Sequence, residues 1–173
     1  ASHDVAFFCY TSGTTGDPKG ALITHANVVS GLAGLAPFVG DLLDANSVHL
    51  SYLPLPHVFE RLNHAAITFY GGRIGYYRGN PLWIVEDLGA LRPTFFPSVP
   101  RLLNRIYDKI LGGVNEAGGL KKALFTAAYN AKVANLRAGE GQAGDGTVHH
   151  ALWDRLVFSR AKKKLGLARL LVP

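Results

Sequence analysis

The sequence predicts an α/β protein with parallel strands, and three observations carry that reading. Between residues 48 and 111, short apolar runs alternate with longer helical patterns in the order strand, helix, strand, helix, strand, helix. The helical patterns are punctuated by Gly71-Gly72, Pro81, Arg92-Pro93 and Pro100, residues that end or open helices. The composition, 48% hydrophobic and 17% charged over 173 residues, is that of a globular chain able to bury a core.

The elements follow in order. Residues 5–10 (VAFFCY) are apolar and aromatic and read as a buried strand. A loop of glycines and hydroxyl residues comes next, then a short strand, Ala21-Leu22-Ile23. Thr24 or Asn27 caps a helix running to about Phe38, broken by Gly40 and Asp41. Residues 48–53 (VHLSYL) form a strand that enters the turn PLPH, and a helix spans 58–70. Residues 73–77 (RIGYY) are a strand, and a short helix spans 81–91. Residues 94–99 (TFFPSV) read as another strand. Pro100 then opens a helix with Leu102, Leu103, Ile106 and Ile110 as its apolar stripe.

The character changes after residue 111. Residues 112–119 (GGVNEAGG) read as a flexible joint, 120–137 as an alanine-rich helix, 139–146 as a link without apolar anchors, and 148–165 as a second helix. The chain therefore divides into an α/β part, 1–111, a helical hairpin insertion, 112–166, and the start of a further strand, 167–173.

Composition also bounds function. No apolar run is long enough to span a membrane, and no signal peptide is recognisable. Methionine is absent, even at position 1, so the chain is expected to be a piece of a longer protein. The single cysteine, Cys9, excludes an internal disulfide framework and reads as a packed thiol. The formal charge of +6 is moderate. Residues 154–169 set one acid, Asp154, against Arg155, Arg160, Lys162, Lys163, Lys164 and Arg169. A solvated helix face is the favoured reading; a surface for anionic lipid is the sharper one. No motif points to nucleic acid.

The chemistry concentrates in residues 10–20, YTSGTTGDPKG. Glycine permits positive φ and lets backbone N–H groups approach a ligand, and successive N–H groups form a concave anion site. Thr11, Ser12, Thr14 and Thr15 add hydroxyl donors, Lys19 adds a full charge, and Asp17 is the one acid. Donors and a cation in this order suit a nucleotide phosphate chain. The loop is not G-x-x-x-x-G-K-[ST], because Gly20 follows the lysine, and it is not G-x-G-x-x-G. A glycine-rich hairpin turn without a ligand is the alternative from composition alone.

The eleven-residue string resembles the AMP-binding signature of the adenylate-forming enzymes, which include acyl-CoA synthetases, luciferases and peptide-synthetase adenylation domains. In that superfamily the loop grips the β- and γ-phosphates of ATP. The resemblance implies the N-terminal domain of the adenylate-forming fold, a layered sheet with flanking helices. By position it makes Thr11, Ser12, Gly13, Thr14, Thr15, Gly16 and Lys19 phosphate contacts, with Lys19 and Thr14 in catalytic roles.

A second stretch, residues 51–61 (SYLPLPHVFER), resembles the Y-L-P-L-x-H-x-x-E segment of long-chain fatty acyl-CoA synthetases. There the histidine lies near the acyl carboxylate, which implies a catalytic role for His57. The residues themselves leave open a histidine that only caps the helix after it. Glu60 and Arg61 read as structural. A third stretch, residues 99–110 (VPRLLNRIYDKI), is similar to the same branch. There it flanks the acyl tunnel, which Phe95, Phe96 and Val99 would line unless they are core.

The resemblance implies a ligase that uses ATP, Mg²⁺ and CoA to activate a fatty acid, as acyl-adenylate and then as thioester. The family's Mg²⁺ ligand, ribose aspartate and C-terminal lysine are not found here, so no residue is assigned to metal and the chain alone is expected to be inactive. An intracellular place is implied, cytoplasmic or peripheral on an organelle membrane. The rival readings are another acid–CoA ligase, such as one for aryl acids, or a phosphate-binding module without catalysis. Acyl chain length and oligomeric state are not legible.

Overall fold

The computed structural model describes residues 1–11, 16–139 and 150–166. The chain divides into two compact units, Ala1–Pro81 and Leu82–Pro173.

The first unit opens with an antiparallel hairpin of β1 (Val5–Thr11) and β2 (Lys19–Thr24), in which Cys9 opposes Ala21 and Thr11 opposes Lys19. The expected strand is present, but it is not a buried one. Successive side chains of a strand point to opposite faces, and a two-stranded ribbon covers only one of them. Cys9 is buried, while Phe8, Tyr10 and Leu22 are exposed. Helix α1 (His25–Val39) follows β2 without a loop. Its start is a capping box: the Asn27 N–H donates to Thr24 Oγ1, and the Thr24 N–H donates to Asn27 Oδ1.

Strands β3 (Val48–Ser51) and β4 (Arg73–Tyr76) pair in parallel, His49 opposite Ile74, with α2 (Val58–Phe69) as the crossover between them. This is the predicted strand–helix–strand unit. Leu50, Ala66 and Ile67 form its core. A side chain at Gly72 would place Cβ 2.9 Å from the Ser47 carbonyl oxygen, so the chain turns into β4 against the entry to β3 only with glycine there.

The second unit is helical. The turn Pro81–Trp83 is 3-10 and leads into α3 (Ile84–Leu91). No strand forms over the predicted 94–99; Phe95 makes one isolated bridge. Pro93 and Pro97 supply no N–H to a ladder, which outweighs the aromatic content of the run. Helix α4 (Pro100–Ala117) begins at its proline as predicted but continues through Gly112-Gly113, where a flexible joint was expected. The stop falls at Gly118 and Gly119, whose φ values are +55° and +47°. Two mid-helix glycines cost about 1 kcal/mol each relative to alanine, which does not break a helix with good formers on both sides. Leu102 and Ile106 are buried on α4, but Leu103 of the predicted stripe is exposed.

Helix α5 (Gly119–Ala138) covers the predicted alanine-rich helix. The last helical stretch combines Ala151–Trp153, a π-helical turn Asp154–Phe158, and Ser159–Lys164. It meets α5 where the Phe158 ring stands edge-on to Phe125, 6.0 Å between centroids, and where Asp154 pairs with Lys132. The predicted link at 139–146, apart from Gly139, and the strand at 167–173 lie outside the described residues. Among the described residues no helix is long and apolar enough to cross a membrane.

Candidate functional site

The signature loop is the turn of the first hairpin. Thr11 ends β1 and Lys19 begins β2, and the two are cross-strand partners. The Thr11 hydroxyl points at the Lys19 carbonyl oxygen, 3.5 Å away, so the ladder closes beneath the loop. Gly16 has φ +99°, a conformation that favours glycine, and a side chain there would meet open space. Lys19 and Asp17 are exposed, and Lys19 has no carboxylate partner among the described residues. Ser12, Gly13, Thr14 and Thr15 lie outside the described residues. The loop therefore joins two fixed strand ends and offers a free ammonium beside them.

His57 is the N-cap of α2. Its Nδ1 accepts from the Phe59 backbone N–H at 3.3 Å, and the His57 backbone N–H donates to the Pro54 carbonyl oxygen. The ring is exposed at the start of the helix that follows β3. The capping role read from the sequence is present, and the remaining ring nitrogen, Nε2, lies beyond the cap.

Two contacts bring this helix start to the hairpin. Cys9 Sγ lies 3.5 Å from the Pro56 carbonyl oxygen, next to His57 in sequence. The Arg61 guanidinium lies over the Phe7 ring, 4.2 Å from its centroid, a cation–π contact. Cys9 is thus a packed thiol, as predicted, and it sits where the strand carrying the loop meets the turn carrying His57. Phe95 is buried in the second unit, while Phe96 and Val99 are partly exposed.

Sequence reasoning missed a cluster one layer deeper. Glu60, three residues after His57, has no exposed surface. Its Oε1 lies 3.1 Å from His49 Nε2 and 3.4 Å from His64 Nε2, and Asn63 Nδ2 donates to its Oε2 at 3.5 Å. His64 Nε2 is also 2.9 Å from Ser51 Oγ. Burial pushes the Glu60 carboxyl up, but hydrogen bonds from His49, Ser51 and Asn63 outweigh it and hold the group below the ordinary value. Burial pushes His64 down against the opposing pull of Glu60, leaving it below its ordinary value. Ligand atoms of His49, Glu60 and His64 all lie within 4.8 Å of one another, a set chemically able to hold a metal ion. The available signal was the spacing: Glu60 and His64 are one helical turn apart, and His49 and Ser51 share a strand face.

Comparison with known proteins places these features in a family. A family model described as AMP-binding enzyme matches residues 1–157. Long chain acyl-CoA synthetase 6, peroxisomal, of Arabidopsis thaliana is 47% identical over 163 residues, covering 94% of this chain and 22% of that protein. Long-chain-fatty-acid–CoA ligase 5 of Rattus norvegicus is 45% identical, covering 94% and 23%. The chain thus spans under a quarter of the length of these relatives. Among solved structures, the A-PCP didomain of carboxylic acid reductase from Segniliparus rugosus, in complex with AMP, overlays 98% of this chain. It covers 20% of that structure with a TM-score of 0.61 at 22% identity, a likeness of fold. The ATP-bound MatB of Rhodopseudomonas palustris overlays 61% of this chain and 20% of its own, with a TM-score of 0.50 at 30% identity. The hairpin with its signature loop and the strand–helix unit behind His57 are therefore parts of a recognised whole: this chain belongs to the AMP-binding enzyme family.

Proposed function

We propose that the protein carrying this chain is an AMP-forming long-chain fatty acid–CoA ligase. One observation supports this most: the strand that leads into the signature loop and the turn that carries His57, separate in sequence, are neighbours through Cys9, Pro56, Phe7 and Arg61. In the proposed reaction a fatty acid carboxylate attacks the α-phosphate of ATP and pyrophosphate leaves. CoA thiol then displaces AMP from the acyl-adenylate to give the thioester.

The role of each residue follows from its chemistry. Lys19 carries a positive charge at a fixed strand end and neutralises charge on the departing pyrophosphate. Thr11, Ser12, Thr14 and Thr15 supply hydroxyl donors, and Gly13 and Gly16 let backbone N–H groups close on the phosphates. His57, held by its Nδ1 at the cap, presents Nε2 toward the carboxylate end of the acyl substrate. Mg²⁺ would share the phosphate charge; no residue of this chain is assigned to it. The proposed organisation is an α/β part, 1–111, carrying both motifs, followed by a helical insertion, 112–166, and a further strand from 167. The proposed place is intracellular, in the cytoplasm or peripheral on an organelle; the Arabidopsis relative carries "peroxisomal" in its name.

The test is ATP–pyrophosphate exchange by the intact protein, scanned across fatty acids of increasing length and across aryl acids. Exchange that rises to a maximum with long-chain acids is the expected result. A preference for aryl acids would replace the fatty acid reading with the other acid–CoA ligase. No exchange with any acid, alongside retained ATP binding, would leave a phosphate-binding module.

A further inference from the structure

From the geometry of the buried cluster we infer that His49, Glu60 and His64 form a site for a borderline divalent cation of the Zn²⁺ type, separate from the magnesium that accompanies ATP. The inference is independent of the ligase reading. One ligand atom from each of His49, Glu60 and His64 lies within 4.8 Å of the other two. A tetrahedral zinc with bonds of about 2.0–2.1 Å sets neighbouring ligand atoms about 3.3 Å apart. The carboxylate oxygen lies 3.1 Å from one ring nitrogen and 3.4 Å from the other, so two edges of that tetrahedron are already in place.

The cluster's polar contacts also close without a metal, His64 Nε2–H donating to Ser51 Oγ and the Ser51 hydroxyl to Glu60, and a cation would replace that arrangement. His64 Nε2 faces both the Ser51 hydroxyl, at 2.9 Å, and the Glu60 carboxylate, at 3.4 Å. With a cation at the centre, each imidazole carries its proton on Nδ1 and turns the Nε2 lone pair inward. Glu60 then neutralises half of the ion's charge. No net proton leaves if both rings start neutral, because the proton only changes nitrogen. Two imidazoles and one carboxylate select zinc or cobalt over magnesium and calcium, which prefer oxygen-rich shells. Ser51 Oγ, 2.9 Å from His64 Nε2, is the side chain at hand for a fourth position.

Access and consequence follow from burial. His49 and Glu60 have no exposed side-chain surface, whereas His64 is 19% exposed and forms the mouth of the site. One ligand stands on β3 and two on α2, so the ion staples the crossover helix to its strand just behind His57. Its role is structural: it fixes the turn that presents His57 and takes no part in bond breaking.

The experiment is a Co²⁺ titration of the intact, chelator-treated protein, read by visible absorption and followed by Zn²⁺ displacement. The expected result is one tetrahedral Co²⁺ attributable to this site, displaced by Zn²⁺ and indifferent to Mg²⁺. His64→Gln keeps a polar group for Ser51 and should weaken binding at this site by at least about a hundredfold, since loss of even an outer partner costs 10–100-fold. His64→Cys restores a ligand and should add a thiolate-to-cobalt charge-transfer band that the unsubstituted protein lacks. The inference fails if the unsubstituted protein takes up no tetrahedral Co²⁺. It fails equally if His64→Gln binds as tightly as the parent, or if His64→Cys binds Co²⁺ without the new band.

Discussion

The signature hairpin and the strand–helix unit beside it both belong to residues 1–81, yet they hold their polar groups in opposite ways. The hairpin carries Lys19 and Asp17 in solvent, above a ladder that needs only backbone hydrogen bonds. The β3–α2 unit carries His49, Glu60 and His64 inward, where each group is held by another. An exposed charge costs little to keep and is free to act on a ligand. A buried charge stays only while its partners stay, because its desolvation must be offset by hydrogen bonds of good geometry. The contrast predicts that the hairpin's polar residues govern rate and the cluster's govern folding.

The largest expected effect lies in the cluster. Glu60→Ala leaves two imidazoles facing a void and removes the acceptor for His49 Nε2, which has no exposed surface. Breaking a buried pair in this way costs about 3–5 kcal/mol, a large share of the stability of a small domain. Denaturant unfolding of the metal-free protein measures it. A loss under about 1 kcal/mol would mean that the cluster is wetter and looser than its burial implies, and the contrast would collapse.

Lys19→Ala comes next and should move the other quantity. Removing a group that stabilises developing charge in the transition state slows reactions about 10²–10³-fold, or about 2.7–4 kcal/mol. Exposed substitutions away from packing shift stability by about 0.5 kcal/mol or less. On the proposed ligase reading, the adenylation step of the intact protein should slow by that factor, while its unfolding midpoint stays where it was. An unfolding midpoint that falls together with the rate would show that the lysine also holds the hairpin closed.

These two regions were legible in the sequence to different degrees, for the same physical reason. The loop's chemistry depends on local order, since glycine, hydroxyl and lysine must follow one another along a single turn. Reading residues 10–20 in sequence therefore reads the candidate site. The cluster depends on which residues a crossover brings together. Glu60 and His64 lie on one helical face, but nothing local reveals that His49 lies under them on β3. The β3–α2–β4 alternation was legible because apolar periodicity and glycine stops are local too. The strand expected at 94–99 was not, because Pro93 and Pro97 deny it ladder donors that its aromatic content seemed to promise. The joint expected over 112–119 shrinks to its last two residues, Gly118-Gly119, because a helix absorbs Gly112-Gly113 when its flanks are strong.

A smaller effect separates the hairpin from the helix that follows it. Thr24 ends β2 and also caps α1, with Asn27 closing the reciprocal bond. Thr24→Ala removes the cap and should cost about 1 kcal/mol, within a range of 0.5–2. If the hairpin's function is local to its loop, adenylation should be unchanged under conditions where the variant is fully folded. A slower reaction in that folded state would tie the loop's geometry to the packing of α1 and blur the division between rate and folding.

The smallest effect comes from the other unit, where an ion pair stands between the two extremes. Lys132 and Asp154 are each about a fifth to a quarter exposed. Burial pushes the Asp154 carboxyl up, but the His150 N–H and Lys132 outweigh it and hold the group below its ordinary value. A carboxyl with a depressed folded value contributes stability above its unfolded pKa, about 3.9. That contribution is lost as pH falls through the folded value, because the unfolded chain takes up the proton first. Partly exposed pairs contribute about 0.2–1 kcal/mol. Lys132→Met keeps the apolar stem near Phe158 and removes the charge. The difference in unfolding free energy between Lys132→Met and the parent should therefore be at most about 1 kcal/mol near neutral pH and should shrink toward zero below the folded value. A difference that holds steady across the acid range would mean that the lysine acts through its contact with the Phe158 ring instead of through the carboxylate. The ion pair would then contribute little, and Lys132 would act through a cation–π contact like that of Arg61 over Phe7.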